Sequence, residues 1–399
     1  MNKKWLPHIT ALGAFVVFIV LGLACATMTP EQIAEQEAAK KAKQEAEQEA
    51  LRQYFLSFDE YAVGAVGADA VYWKNREIVK LPRVGVGAAG EIATSIVVSG
   101  NDVYIAGEIL YSGSTYEAVY WKNNQPVILP RGNARLSEAT SILVSGKDVY
   151  VTGRADNDAV YWKNGQLVIL PRMNATSAVA NAIAMSGNDA YIAGCLNNQA
   201  VYWRSNGQPV TLGSNAVAEA IAISGNNVYV AGWTGSGAVG NTRAVLWTNG
   251  QAAILPGEGI YTSDDGREYP RDSGGYAIAT SVFVSGADVY VGGAANTQYI
   301  KEITQPVATY WKNGKRTIIF NSYYASFATS IFIINNSVCL GGYVIDHNLV
   351  DNLIPGMRRE IGGGKNIAAL FLNGKSILMG PTDKQAAGSI IRGIYIVKK

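Results

Sequence analysis

Histidine and cysteine are nearly missing from this chain: two of the first and three of the second in 399 residues. His8 lies in an apolar leader, which leaves His347 alone and excludes a zinc centre built on histidine. A Ser-His-Asp triad would have one candidate base. Cys25 belongs to the leader, while Cys195 and Cys339 fall in separate repeats. Cys339, in SVCLGG, stands where NNVYVAG has Tyr229, and so reads as a small buried hydrophobe rather than a disulfide partner. Charge is scarce as well, at 16%, with 33 basic residues against 31 acidic ones. Lys3 and Lys4 belong to the leader, so the remainder is close to neutral, and no nucleic-acid partner is expected. What is abundant is glycine, 43 residues, together with Val, Ile, Tyr and Trp, a composition suited to short strands joined by tight turns.

The N-terminus reads as an export signal. Lys3 and Lys4 precede an apolar core, ALGAFVVFIVLGL, from Ala11 to Leu23. The following LACATM has three readings. Cys25 after Leu-Gly-Leu-Ala resembles a lipoprotein processing box, with Gly22 where that box usually has Leu. Ala24-Cys25-Ala26 is also an A-x-A cleavage site, and an uncleaved anchor from Ile9 to Met28 would span a bilayer. The first reading makes residues 1–25 the anchor region and Cys25 the lipidated residue. All three place the rest outside the cytoplasm, in a bacterial cell envelope.

Residues 26–58 change character. Thr29, Pro30 and Gln32 form a helix start, and Ala, Glu, Gln and Lys fill the interior, with Glu37 and Lys41 one turn apart. With little to bury, this is a helical spacer of roughly 30 to 40 Å.

From residue 59 to 399 one phrase recurs: VYWKNREIVKL at Val71, VYWKNNQPVIL at Val119, VYWKNGQLVIL at Val160 and four further variants. Around it recur ATSIVVSG at Ala93 and DVYIAG at Asp102, and each phrase has strand length and a turn boundary. Asn164-Gly165, Asn249-Gly250 and Asn313-Gly314 signal hairpins, and Pro82, Pro130, Pro171 and Pro256 close the fourth strand. A period in the 40s fits propeller blades, whose two apolar sheet faces only a neighbouring copy can cover. The expectation is an all-β, seven-bladed β-propeller of four-stranded blades, a monomeric ring preceded by signal peptide and helical spacer. Trp73, Trp121, Trp162, Trp203, Trp247, Trp311 and Phe371 would fill the wedge between blades. So would the tyrosines of the second phrase, among which Tyr395 is counted. The C-terminal strands would complete the first blade. Tyr61 to Gly64 and Ile394 to Val397 both look like second strands, so six or eight blades also remain open.

The couplet A-V-Y-W-K-N-G-Q-x-V-x-L followed by A-x-x-I-x-x-S-G-x-x-V-x-x-x-G resembles the HAF-type repeats of secreted bacterial proteins, over about residues 61 to 397. The resemblance implies a propeller-like fold and an extracellular setting, and transfers no catalytic residues; the His-Ala-Phe signature itself is absent. In layout the chain is also similar to outer-membrane assembly propeller lipoproteins.

Every insertion falls between second and third strands or between fourth and first, hence on one face, where binding is expected. The candidate contacts are Arg83, Arg131 and Arg172, which follow Leu-Pro and could meet an anionic partner or simply cap strand ends. Trp233, Tyr261 and Tyr269 sit in insertions, and Asp264, Asp265 and Arg267 in the loop SDDGREYPRD. That loop's acids match no calcium-binding spacing. No metal and no cofactor are expected. Asp272-Ser273-Gly274-Gly275 has the look of a nucleophile's setting but lacks a recognisable base. The function read from the sequence is therefore a binding or scaffold module, not an enzyme, whose partner is an envelope or extracellular protein or polysaccharide. A glycan- or peptide-acting hydrolase using Asp264, Glu268 or Asp346 is the alternative.

Overall fold

The computed structural model describes residues 32, 34–39, 41–42, 57–113, 115–205, 207–235, 242–257, 261–262, 268–269, 276–299, 303–319, 325–346, 365–372, 375–378 and 389–398. The chain divides into two units, residues 1–58 with 399, and residues 59–398. In the first unit the described residues 34–39 and 41–42 are helical and exposed; the apolar leader and Cys25 lie outside the described residues. Among the described residues no helix is long and apolar enough to cross a membrane.

The second unit is a ring of seven four-stranded antiparallel blades, a β-propeller. Blade 1 joins Phe58–Val66, Asp69–Lys74 and Glu77–Lys80 to the C-terminal strand Ser389–Lys398, which lies innermost. Blades 2 to 7 each run from an inner strand outward: Gly90–Ser99, Ser137–Ser145, Ala178–Ser186, Ala216–Ser224, Ala277–Ser285 and Ser326–Ile334 are the six inner strands. One strand from one end and three from the other thus close the ring, and this settles the surplus. Ile394 to Val397 continue the inner strand of blade 1, so Tyr395 is not a second-strand tyrosine; its ring packs against Phe332 of the neighbouring inner strand, centroids 5.6 Å apart. Apolar alternation alone fits either position, and the ring closure decides.

The recurring phrase has a physical cause at each letter. The third-strand tryptophans of blades 1 to 6 and Phe371 are at most 2% exposed, filling the wedges between sheets. Indole Nε1 of Trp162 donates to the Pro130 carbonyl of the preceding blade at 2.7 Å, and Trp121, Trp203 and Trp311 do the same to Pro82, Pro171 and Pro256. The proline that ends an outer strand therefore leaves a carbonyl for the next blade's indole. Lys163 pairs with Asp148 at 2.9 Å while lying 5.3 Å from the ring centroid of Tyr150, and the Asn164 side chain bridges Asp148 and the Val149 amide. Trp-Lys-Asn of the third strand is thus locked to Asp-Val-Tyr of the second, and the lock recurs at Lys122 with Asp102 and at Lys312 with Asp288.

Around the axis a second device joins the inner strands. Each inner strand of blades 2 to 7 carries a β-bulge after the alanine of the A-T-S phrase. The bulged residue reaches the next blade: Thr94 donates to the Ala139 carbonyl, Thr140 to Ala180, Asn181 to Ala218, Thr280 to Ala328 and Thr329 to Ile391, all at 2.7–2.9 Å. The bulge turns a carbonyl over the second strand, and there only glycine fits. A Cβ on Gly153 would stand 1.8 Å from the Glu138 oxygen.

Candidate functional site

The two kinds of turn separate cleanly. First-to-second and third-to-fourth turns are short, whereas second-to-third and fourth-to-first connections carry the insertions. Several insertions are paired strands rather than loops: the second and third strands of blade 2 run to Tyr111 and Thr115, those of blade 6 to Tyr299 and Ile303, and those of blade 7 to Asp346 and Lys365. These hairpin arms rise from the loop-bearing face, and blades 1, 3 and 4 stay low, turning at Val66, Ala155 and Leu196.

The sequence candidates scatter over this face. Arg83 pairs with Asp69 at 2.8 Å, Arg131 with Glu117 at 3.8 Å and Arg172 with Asp158 at 3.2 Å, each acid at the equivalent position of its own blade's third strand. Tyr261 and Tyr269 are backbone register partners in a two-stranded antiparallel sheet, Tyr261–Thr262 with Glu268–Tyr269. Asp264, Asp265, Arg267, His347 and Asp272 to Gly275 lie outside the described residues. Trp233, expected in a loop, belongs to the second strand of blade 5, Asn227–Gly235. Its indole donates to Glu219 at 3.0 Å.

Trp233 leads to a cluster that sequence reasoning missed. It follows the glycine at which every second strand meets its bulge; the equivalent residues are Glu108, Arg154, Cys195 and Tyr343 in blades 2, 3, 4 and 7. Opposite them, on the inner strands, stand Glu138 and Phe327. At the bulge itself blade 5 has Glu219, and at the equivalent position of its inner strand blade 1 has Arg392, where other blades carry Thr or Asn. They fall into two groups: Glu108, Glu138, Arg154, Arg392 and Tyr343 are neighbours across blades, and Cys195, Glu219 and Trp233 are neighbours across blades 4 and 5.

Their electrostatics confirm proximity across blades. Burial, aided by the Glu138 charge, pushes Glu108 up to about 7, with Arg392 and Arg154 opposing. Arg154 clasps Glu138 through Nε at 2.8 Å and through a second guanidinium nitrogen, which raises the guanidinium's own pKa. Burial raises Tyr343, opposed by Arg392, and raises Tyr276, aided by Tyr343. Burial also raises Glu219, opposed by the Trp233 hydrogen bond. Blades 1 to 3 therefore supply charge and blades 5 to 7 supply aromatic surface, where Tyr343 stacks on Phe327 with centroids 5.2 Å apart and planes 20° off parallel. Among the described residues no group of three or more His, Cys, Asp or Glu is arranged to hold a metal ion.

A sequence signal for this cluster existed. Once the repeats are aligned, Glu219 and Arg392 interrupt a column of Thr and Asn, and Glu108, Arg154, Trp233 and Tyr343 share one column.

No family model and no curated protein matches the chain. Among solved structures it is similar to a puromycin-hydrolyzing peptidase of Mycobacterium tuberculosis, at 10% identity and TM-score 0.37, covering 72% of this chain and 53% of that one. The chain thus spans about half of that peptidase's length. It is similar to YjhT at 11% identity and TM-score 0.34, covering 75% and 99%. AztD of Citrobacter koseri gives 10% identity and TM-score 0.34, covering 85% and 98%. The expectation that the protein is not an enzyme is corrected here: a puromycin-hydrolyzing peptidase stands among the similar structures, and the fold alone does not exclude catalysis.

Proposed function

We propose that the protein is an extracytoplasmic propeller, held at a membrane through Cys25, that binds an envelope or extracellular protein or polysaccharide through its loop-bearing face. The supporting observation is the convergence of Glu108, Glu138, Arg154, Arg392 and Tyr343 from four blades on that face. Half-buried charges such as Glu108, Glu138 and Arg154 are unfavourable unless paired, and a ring held together by apolar wedges has no need of them. Hairpin arms around the mouth would wall the bound partner. The test is capture of a partner from envelope extracts by the full chain, compared with a variant lacking residues 257–275 and with Glu108→Gln. Equal capture by all three would overturn the reading.

A second reading rests on one pair. Glu108 keeps its proton to about pH 7 beside a Glu138 clasped by Arg154, which gives two carboxylates in different environments, as acid–base hydrolysis requires. Loss of turnover on glycans or peptides in Glu108→Gln and Glu138→Gln, with the fold intact, would favour it over simple binding.

A further inference from the structure

Arg392 is the residue that the architecture does not explain. It occupies the equivalent of the bulge position on the innermost strand of blade 1, where Thr94, Thr140, Thr280 and Thr329 reach the next blade's carbonyl. It is exposed and, among the described residues, forms no ion pair. Arg154, its cationic neighbour, is already committed to Glu138. One guanidinium at the axis is thus left facing solvent, with Glu108, whose carboxyl burial pushes up to about 7, and the phenol of Tyr343 beside it. The guanidinium and the phenol can both donate to an anion, and guanidinium recognises a planar carboxylate through two parallel N–H bonds.

The wall beside Arg392 is aromatic: Tyr343 and Phe327 stack on blade 7 and Tyr276 lies near Tyr343, all three rings half-buried. A ring with one C–H face and an edge of hydroxyls suits such a mouth: the face lies on the aromatics, and the hydroxyls meet Glu138 and Arg154. Resting on the loop-face reading above, we infer that the axial mouth binds an acidic saccharide, with its carboxylate on Arg392 and its ring against Tyr343.

The test compares an oligogalacturonate with its methyl ester by titration calorimetry on the full chain. The key variant is Arg392→Thr, which restores the residue of the other blades and should leave the ring intact. The acidic oligomer should bind the native protein about 10- to 100-fold more tightly than the ester, the range that a charge-assisted bond pair supplies. Arg392→Thr should erase that preference without lowering the melting temperature. Tyr343→Leu should weaken both ligands together. Equal affinity for acid and ester, an unchanged preference in Arg392→Thr, or tighter binding of a peptide carboxylate would overturn the inference. If neither saccharide binds while loop deletion still abolishes capture from extracts, this inference fails and the loop-face reading stands.

Discussion

Trp233 donates its indole N–H to Glu219 at 3.0 Å, linking the first two strands of blade 5 at the point where the inter-blade hydroxyl bond is missing. Burial holds the Glu219 carboxyl above its ordinary range, so its ionisation should be read out by its partner. Trp233 fluorescence is expected to titrate with a midpoint above that of an exposed glutamate, and the transition should vanish in Glu219→Gln. A flat profile in the native protein would show that the two groups are not coupled.

Glu60 offers a sharper pH dependence. It takes the place of Val103, Val149 and Val289 in the second strand, is 2% exposed, and neither carboxylate oxygen has a hydrogen-bond partner among the described residues. Burial raises its pKa from 4.5 to about 7, with Arg76 opposing. The unfolded chain releases this proton near 4.5 and the folded chain near 7, so stability is full below the first value, falls between them and levels off above the second. Glu60→Val should remove that slope and raise stability at about pH 8 by about 1–3 kcal/mol in denaturant titrations.

The indole staples can be tested by a matched pair. Trp162 donates to Pro130, whereas Trp247 follows a blade in which Leu212-Gly213 replaces Leu-Pro, and it makes no such bond among the described residues. Trp162→Phe should therefore destabilise by about 0.5–1.5 kcal/mol more than Trp247→Phe, because it loses this inter-blade hydrogen bond. Equal losses would mean that shape alone sets the tryptophan.

Gly153→Ala should disrupt blade 3 severely. The added Cβ would sit 1.8 Å from the Glu138 carbonyl oxygen, a backbone atom fixed by the bulge. A loss of at least about 3 kcal/mol, or failure to fold, is expected, whereas Gly146→Ala meets open space and suffers only from its positive φ of 61°.

The fold was legible in the sequence because single residues fix single events. Asn164-Gly165 fixes a turn, Trp162 fills one wedge, and Pro130 ends one strand, so counting these residues counted the blades. The misreadings come from segments whose pattern fits two structures. GEILYSGSTYEA has loop-like glycine and serine, yet Glu108 to Tyr111 alternate well enough to pair with Thr115 to Ala118, and the insertion became a hairpin arm. Tyr395 alternates like a second strand, but only Tyr61 has the Lys74, Asp59 and Asn75 that complete the lock. The site was far less legible. Its members come from blades spread along the whole chain, each looks like an ordinary surface residue in its own repeat, and what marks them is departure from the column they share.

Two of those departures divide the circle mechanically. Glu219 and Arg392 remove the axial hydroxyl bond between blades 5 and 6 and between blades 1 and 2, while Trp311 and Trp121 still pin those same seams farther out. Blades 2 to 5 and blades 6, 7 and 1 become two jaws, clasped at the rim and unlatched at the hub. A guest lodged across the hub would supply the missing latch, so occupancy and resistance to heat should rise together.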